Sequence, residues 1–263
     1  MAATDPAAAA VTPKDAATVM LLRDAPDLEV FMLRRNFDSV WIAGATVFPG
    51  GGVDPGDRDP EWAARCAGWD DARASRAVGR GGGGLGFFVA AVRETFEEAG
   101  VLLARDADGT PVDASAAHLS AARAGLNDGT LEFGAFVADH DLVLATDELH
   151  VFSHWITPPG GPRRYDTWFF VAAAAEGEYT HDDDELIAST WVRPAEAVAA
   201  ADRGEIDLIF PTRKNLEALA RFATAAEVLG AASAADPAGT GRFVRESVEG
   251  RRIALPGDEG GGA

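Results

Sequence analysis

The fold of this chain is read from Arg93-Glu94-Thr95-Phe96-Glu97-Glu98-Ala99-Gly100-Val101. A helical residue advances by about 100° around the axis, so Glu94, Glu97 and Glu98 at i, i+3 and i+4 share one face within one turn. Carboxylates so placed weaken a helix by roughly a few tenths of a kcal/mol per pair. A segment serving solubility alone would interleave Lys or Arg. Two readings follow: a solvated acidic face, or a site where a hard divalent cation, Mg²⁺ or Mn²⁺, takes the oxygens as ligands. Just upstream, Phe88, Val92 and Phe96 fall four apart with Val89 beside them. That stripe predicts a helix over Phe87–Ala99 packed on a core, with Gly100 as its C-cap.

Working outward, Ala17–Leu22 and Leu28–Arg34 read as two strands around a Pro26 turn, and Ala45–Phe48 as an apolar run stopped by Pro49-Gly50-Gly51-Gly52. Residues 58–86 hold Gly79 and Gly81–Gly84 and lack periodicity, which predicts a surface insertion that the fold can lose. The glycines also match a phosphate-binding loop weakly, but no strand precedes them, and a flexible linker is the simpler reading. Val101–Leu103 suggests a short strand, and Ser115–Leu126 and Thr130–Ala138 suggest helices. His150–Ile156, Trp168–Ala173 and Ala188–Val192 suggest strands. Pro194–Arg203 and a long segment from Pro211 to about Gly230 suggest two more helices, the second with Pro in its first turn. Residues 1–15 are expected to form a disordered tail. The main domain is expected over 16–230, and 231–263 as an extension with a hairpin at Arg242–Leu255.

The chain has 263 residues, 47% hydrophobic and 25% charged, enough for a sizeable core. Its formal net charge is −19, which argues against a general nucleic-acid binder, since that needs a basic surface. Cys66 is the single cysteine, so neither an internal disulfide nor a cysteine-based zinc site is expected, and a reducing compartment fits. No apolar run approaches the roughly 20 residues of a membrane helix, so no membrane partner is expected. The N-terminal stretch lacks a basic segment followed by an apolar core, and the last residues carry no recognised address; the cytoplasm is the expected location. None of the five histidines has a ligand spacing, and covalent catalysis by Cys66 finds no support. The oligomeric state is open, a homodimer included.

Arg93–Val101 resembles the second half of the Nudix box. Gly51, five residues and Asp57 resemble its opening, with Asp in place of the customary Glu. Residues 58–92, 35 in all, replace the short spacer usual between the halves, and Thr95 stands where an apolar residue is customary. A box split by a long insertion resembles the peroxisomal coenzyme A diphosphatase type. Gly44–Gly51, Ala91–Leu103, His154–Pro158, Arg163–Thr167 and Phe169-Phe170 carry the likeness, which covers about residues 16–220; Val40 stands where the full coenzyme A signature has arginine.

The resemblance implies an α/β (α+β) Nudix fold, a mixed sheet sandwiched between helices, with the insertion and a helical C-terminal extension. It implies hydrolysis of a diphosphate bond in a small-molecule nucleoside diphosphate derivative, foremost coenzyme A or an acyl-coenzyme A. ADP-ribose, dinucleotides or nucleotide sugars are the alternative, and a non-catalytic nucleotide-sensing module the alternative of another class. By the same resemblance Glu94, Glu97, Glu98 and the carbonyl of Gly51 hold Mg²⁺ or Mn²⁺, and Glu94 is also a candidate base. Arg93 fixes a site glutamate through a bidentate pair. Glu185, in the acidic run 182–185, is a candidate outside acid, a solvated turn being the other reading of that run. Arg34, Arg35, Arg163 and Arg164 are candidates for substrate phosphate, against the plainer reading of surface arginines.

Overall fold

The structure, a computed structural model, describes residues 11–36, 44–112, 117–160, 162–174, 179, 186–235, 243–247 and 250–253. Strands β1 (Lys14–Asp24), β2 (Leu28–Arg35), β3 (Thr46–Val47) and β4 (Gly50–Gly52) lead to helices α1 (Asp71–Ala77) and α2 (Leu85–Ala99). Next come β5 (Ala104–Arg105), α3 (Ala117–Asn127), α4 (Phe133–Asp139), β6 (Val143–Leu144), β7 (His150–Ile156), β8 (Tyr165–Ala173) and β9 (Leu186–Val192). Helices α5 (Pro194–Asp202), α6 (Phe210–Leu219) and α7 (Ala225–Ala234) precede a terminal pair, β10 (Phe243–Ser247) and β11 (Gly250–Ile253).

The main sheet runs β10-β11-β7-β8-β1-β2-β3, with β4 on β1 and β9 on β2. Among the described strands only β1 and β8 pair in parallel; the other ladders are antiparallel, so the sheet is mixed. Strand side chains alternate between faces, and here both faces are apolar. Val19, Leu21, Phe31, Leu33, Trp168 and Phe170 pack into one core layer, under α2. Met20, Leu22, Val30, Met32, Phe169 and Val171 pack into the other, against α6 and α7. That two-sided burial makes the sandwich anticipated from the sequence. Phe87, Phe88, Val89, Val92 and Phe96 of α2 are at most 1% exposed, and each is worth roughly 1.5–3 kcal/mol over exposure. Thr95 is fully buried, but its hydroxyl donates to the Ala91 carbonyl at 2.7 Å, which makes a polar residue tolerable at an apolar position. Gly100 closes α2 at φ 70°, a left-handed conformation natural to glycine.

Several expectations need correction. β1 already includes Lys14 and Asp15, inside the expected tail. Residues 101–103 are loop, and the short strand lies at Ala104–Arg105 instead. The single helix expected from Pro211 to Gly230 is two: Thr224 accepts the Glu227 N–H, while Glu227 accepts the Ala223 N–H, so a new helix is capped there.

The largest correction concerns residues 58–86. Trp62 is 5% exposed and packs on Phe133, Trp69 packs on Phe88, and Ala74, Val78 and Leu85 enter the main core. The Asp71 carboxylate accepts the N–H groups of Gly83 and Leu85, and the Ser75 hydroxyl accepts that of Gly84. Helix starts leave N–H groups without partners; α1 thus caps α2 from the side. The segment is core, not a dispensable surface loop, because its glycine-rich end finds its partners in side chains several residues earlier.

Candidate active site

The arrangement starts from one guanidinium. Arg93, 7% exposed, grips Asp57 with a two-bond fork, Nε to Oδ1 at 3.0 Å and Nη2 to Oδ2 at 2.9 Å. Nη2 also donates to the Gly52 carbonyl at 2.8 Å, and Nη1 to Glu94 at 2.9 Å and Glu97 at 3.0 Å. The bidentate partner is therefore Asp57, not a glutamate of the helix. Burial works against the charge of Arg93, but the Asp57 hydrogen bonds and the charges of Glu94, Asp57 and Glu97 push its pKa further up. It stays cationic and positions the acids.

Glu98 faces the other way: its carboxylate accepts the Gly50 N–H at 2.8 Å and lies 3.6 Å from Arg35. Glu94 sits between, against the backbone of Gly51. A Cβ on Gly51 would lie 2.5 Å from the Glu94 carboxylate, so only glycine permits this approach. Arg123 of α3 donates to the carbonyls of Glu97 and Glu98, satisfying the last turn of α2 with a cation at its negative end. Asp57, Arg123 and the Gly50 amide were not assigned these roles from sequence; each meets its partner only through the fold.

Burial raises the Glu94 pKa to about 8; Arg93 opposes the rise, and Glu98 and Glu97 add to it. Glu97 is raised as well, first by burial. Among the described residues no three acidic, histidine or cysteine side chains are gathered so as to hold a metal ion, and Arg93 ties Glu94 and Glu97. The donor set nonetheless suits a hard cation: all oxygens, a carboxylate reluctant to carry its charge alone, and a glycine that leaves room beside it. A pH test follows for the metal-free protein. With an ordinary pKa of 4.5 and a folded value of about 8, folded Glu94 binds the extra proton in between, so its contribution to stability is lost as pH rises through that window. Thermal melts in chelator should show Glu94→Gln gaining on wild type as pH rises; a Tm gap independent of pH would contradict the assignment.

The candidate arginines separate. Arg35, at the end of β2, meets Glu98, whereas Arg34 follows the strand side of Met32, which faces the second core layer. Arg163 is exposed in the turn before β8. Arg164 donates to the carbonyls of Thr157 and Val11, both at 2.8 Å. That is a clamp on backbone, so Arg164→Ala should lower Tm and weaken coenzyme A and its 3′-dephosphorylated form equally; selective loss with coenzyme A would restore the phosphate contact. Glu185 lies outside the described residues. Cys66 has its thiol pushed up to about 12 by burial, a Thr146 hydrogen bond opposing, which disfavours the thiolate.

Beside Glu97 opens a cleft of about 740 Å³, walled by the segment after Asp54 and by the stretch from Leu126 to Ala138. Trp62, from the inserted segment, forms part of that wall.

Comparison with known proteins bears on this geometry. A family profile described as the NUDT19 Nudix domain matches residues 70–219. Acyl-coenzyme A diphosphatase NUDT19 of Gallus gallus is 29% identical over 265 aligned positions, covering 80% of this chain and 69% of that protein. The Homo sapiens protein of the same name is 29% identical, covering 78% of this chain and 64% of the relative. The chain thus spans about two thirds of the length of these relatives. The crystal structure of a NUDIX hydrolase from Alicyclobacillus acidocaldarius superposes with a TM-score of 0.73 at 29% identity, over 84% of this chain and 97% of that one.

Proposed function

The chain belongs to the NUDT19 Nudix family, hydrolases of diphosphate bonds, and from that membership we propose that it cleaves coenzyme A or an acyl-coenzyme A with Mg²⁺ or Mn²⁺. The observation that carries the metal-dependent reading is the set of three carboxylates, Glu94 and Glu97 held by Arg93 and Glu98 by the Gly50 N–H, with Glu94 against Gly51. The names of the two relatives support the substrate.

Glu97 and Glu98 are the first ligands, with Glu94 and the Gly51 carbonyl beside them. Bound there, Mg²⁺ or Mn²⁺ supplies charge neutralisation on the diphosphate and a water of lowered pKa. Arg93 aims Glu94 and Glu97, and the Gly50 N–H aims Glu98. Glu94 is the candidate base for the attacking water, and Glu185 the other. Arg35 meets phosphate oxygens at the Glu98 end. Among the described residues no helix is long and apolar enough to cross a membrane. The lone cysteine supports a cytoplasmic setting.

A panel of coenzyme A, acyl-coenzyme A, ADP-ribose, dinucleotides and nucleotide sugars, each with Mg²⁺ and with Mn²⁺, tests this by product chromatography. The expected products are 3′,5′-ADP and a phosphopantetheine, and none in chelator. Preference for ADP-ribose or a dinucleotide would replace the substrate. Tight binding without turnover of any of them would make the protein a sensor.

A further inference from the structure

The cleft beside Glu97 differs in character from the rest of the site. Of the row, Glu97 lines it and Glu94 and Glu98 do not; nor does Arg35. Its wall is apolar, made by Trp62, Leu126, Leu131 and Phe133. Its rim is acidic, made by Asp54, Asp59, Glu61 and Glu132, all exposed. The two arginines in its lining are engaged: Arg93 as described, and Arg65 with Asp141 and the Leu142 carbonyl.

Phosphate is a poor occupant of such a space. It would face the like charges of the rim carboxylates Asp54, Asp59, Glu61 and Glu132 across a low-dielectric wall. Ionised Asp and Glu only accept hydrogen bonds, and phosphate oxygens at neutral pH offer them few donors. An uncharged chain bearing amide N–H and hydroxyl groups does offer donors, and its carbons suit the ring-lined wall. A volume of about 740 Å³ is ample for a chain of that kind.

We propose that this cleft receives the amide- and thioester-bearing arm of the substrate, with the acyl chain along Trp62, Leu131 and Phe133, while the phosphate-rich half lies toward Arg35. The assignment deepens the coenzyme A reading and rests on it. It gives the inserted segment a role in selection, because Trp62 comes from that segment and pairs with Phe133 of α4 across a 5.6 Å ring separation. The carboxylate row becomes the divide between the phosphate-bearing half of the substrate and its uncharged arm.

Ala135 and Ala138 are exposed on the cleft side of α4 and take no part in the carboxylate row. Ala135→Trp and Ala138→Trp therefore fill the cleft without touching the chemistry. The test measures kcat and KM for a medium-chain acyl-coenzyme A, the inhibition constant of 3′,5′-ADP, and Tm for wild type and both variants. The expected result is a KM raised by about tenfold, with kcat, Tm and the 3′,5′-ADP constant unchanged. An unchanged KM in a variant that melts like wild type would overturn the assignment. An equal weakening of 3′,5′-ADP would put the nucleotide half in the cleft and overturn it too. Wild type that cleaves no coenzyme A thioester would instead bring down the substrate reading, and this assignment with it.

Discussion

Glu97→Gln and Glu98→Gln are each expected to lower kcat by roughly a hundred- to a thousandfold while leaving Tm within a few degrees of wild type. Charge stabilisation of a diphosphate by a bound cation is worth several kcal/mol, and each 1.36 kcal/mol is about tenfold in rate. The fold should tolerate the change, because an amide oxygen still accepts from Arg93 at position 97 and from the Gly50 N–H at position 98. Removing a carboxylate also relieves repulsion along the helix face. Steady-state kinetics across metal concentrations, with melts on the same samples, provide the check. Full activity in the double Gln variant would end the metal-site reading.

Arg93→Ala should be strongly destabilising. It strips the fork from Asp57, itself 3% exposed, and leaves Glu94 without its cation. Breaking one side of a buried ion pair costs about 3–5 kcal/mol. For a domain of this size, at about 2–4 °C per kcal/mol, Tm should drop by about 6–20 °C. Arg93→Lys should fall between, since an ammonium has no planar fork to match the carboxylate. Calorimetry at neutral pH reads the effect, and a wild-type melting curve for Arg93→Ala would refute the pairing as a structural element.

The parts legible in the sequence were those written in local periodicity. The stripe Phe88, Val92, Phe96 placed α2, and its acids followed from counting residues. The strands around Val19, Phe31, Val151 and Phe170 were visible as apolar runs, and burial on both faces explains why they are runs. The break between α6 and α7 was also written, as Thr224-x-x-Glu227, but the apolar alanines around it hid the cap. Other features have no local signature. The glycines at 81–84 looked like linker because the side chains that hold them, Asp71 and Ser75, lie outside the window. Arg164 looked like a phosphate ligand because charge is visible in sequence and a carbonyl partner is not. The wall of the cleft joins Trp62 to Phe133, some seventy positions apart, and only tertiary packing brings them together.

The Arg93–Asp57 fork joins positions 36 apart in the chain. It therefore defines a point in space and not an interval in sequence. Closing a flexible loop costs free energy that grows with the logarithm of its length, only about 0.6 kcal/mol for each doubling. The staple at its base is blind to the contour length between its ends. Chain can be added between those two anchors at little thermodynamic expense, provided that the packed residues Trp62, Ala74, Val78 and Leu85 and those capping α2 are kept. Loop length there is a variable through which the shape of the neighbouring cleft can be tuned while the carboxylates stay where they are.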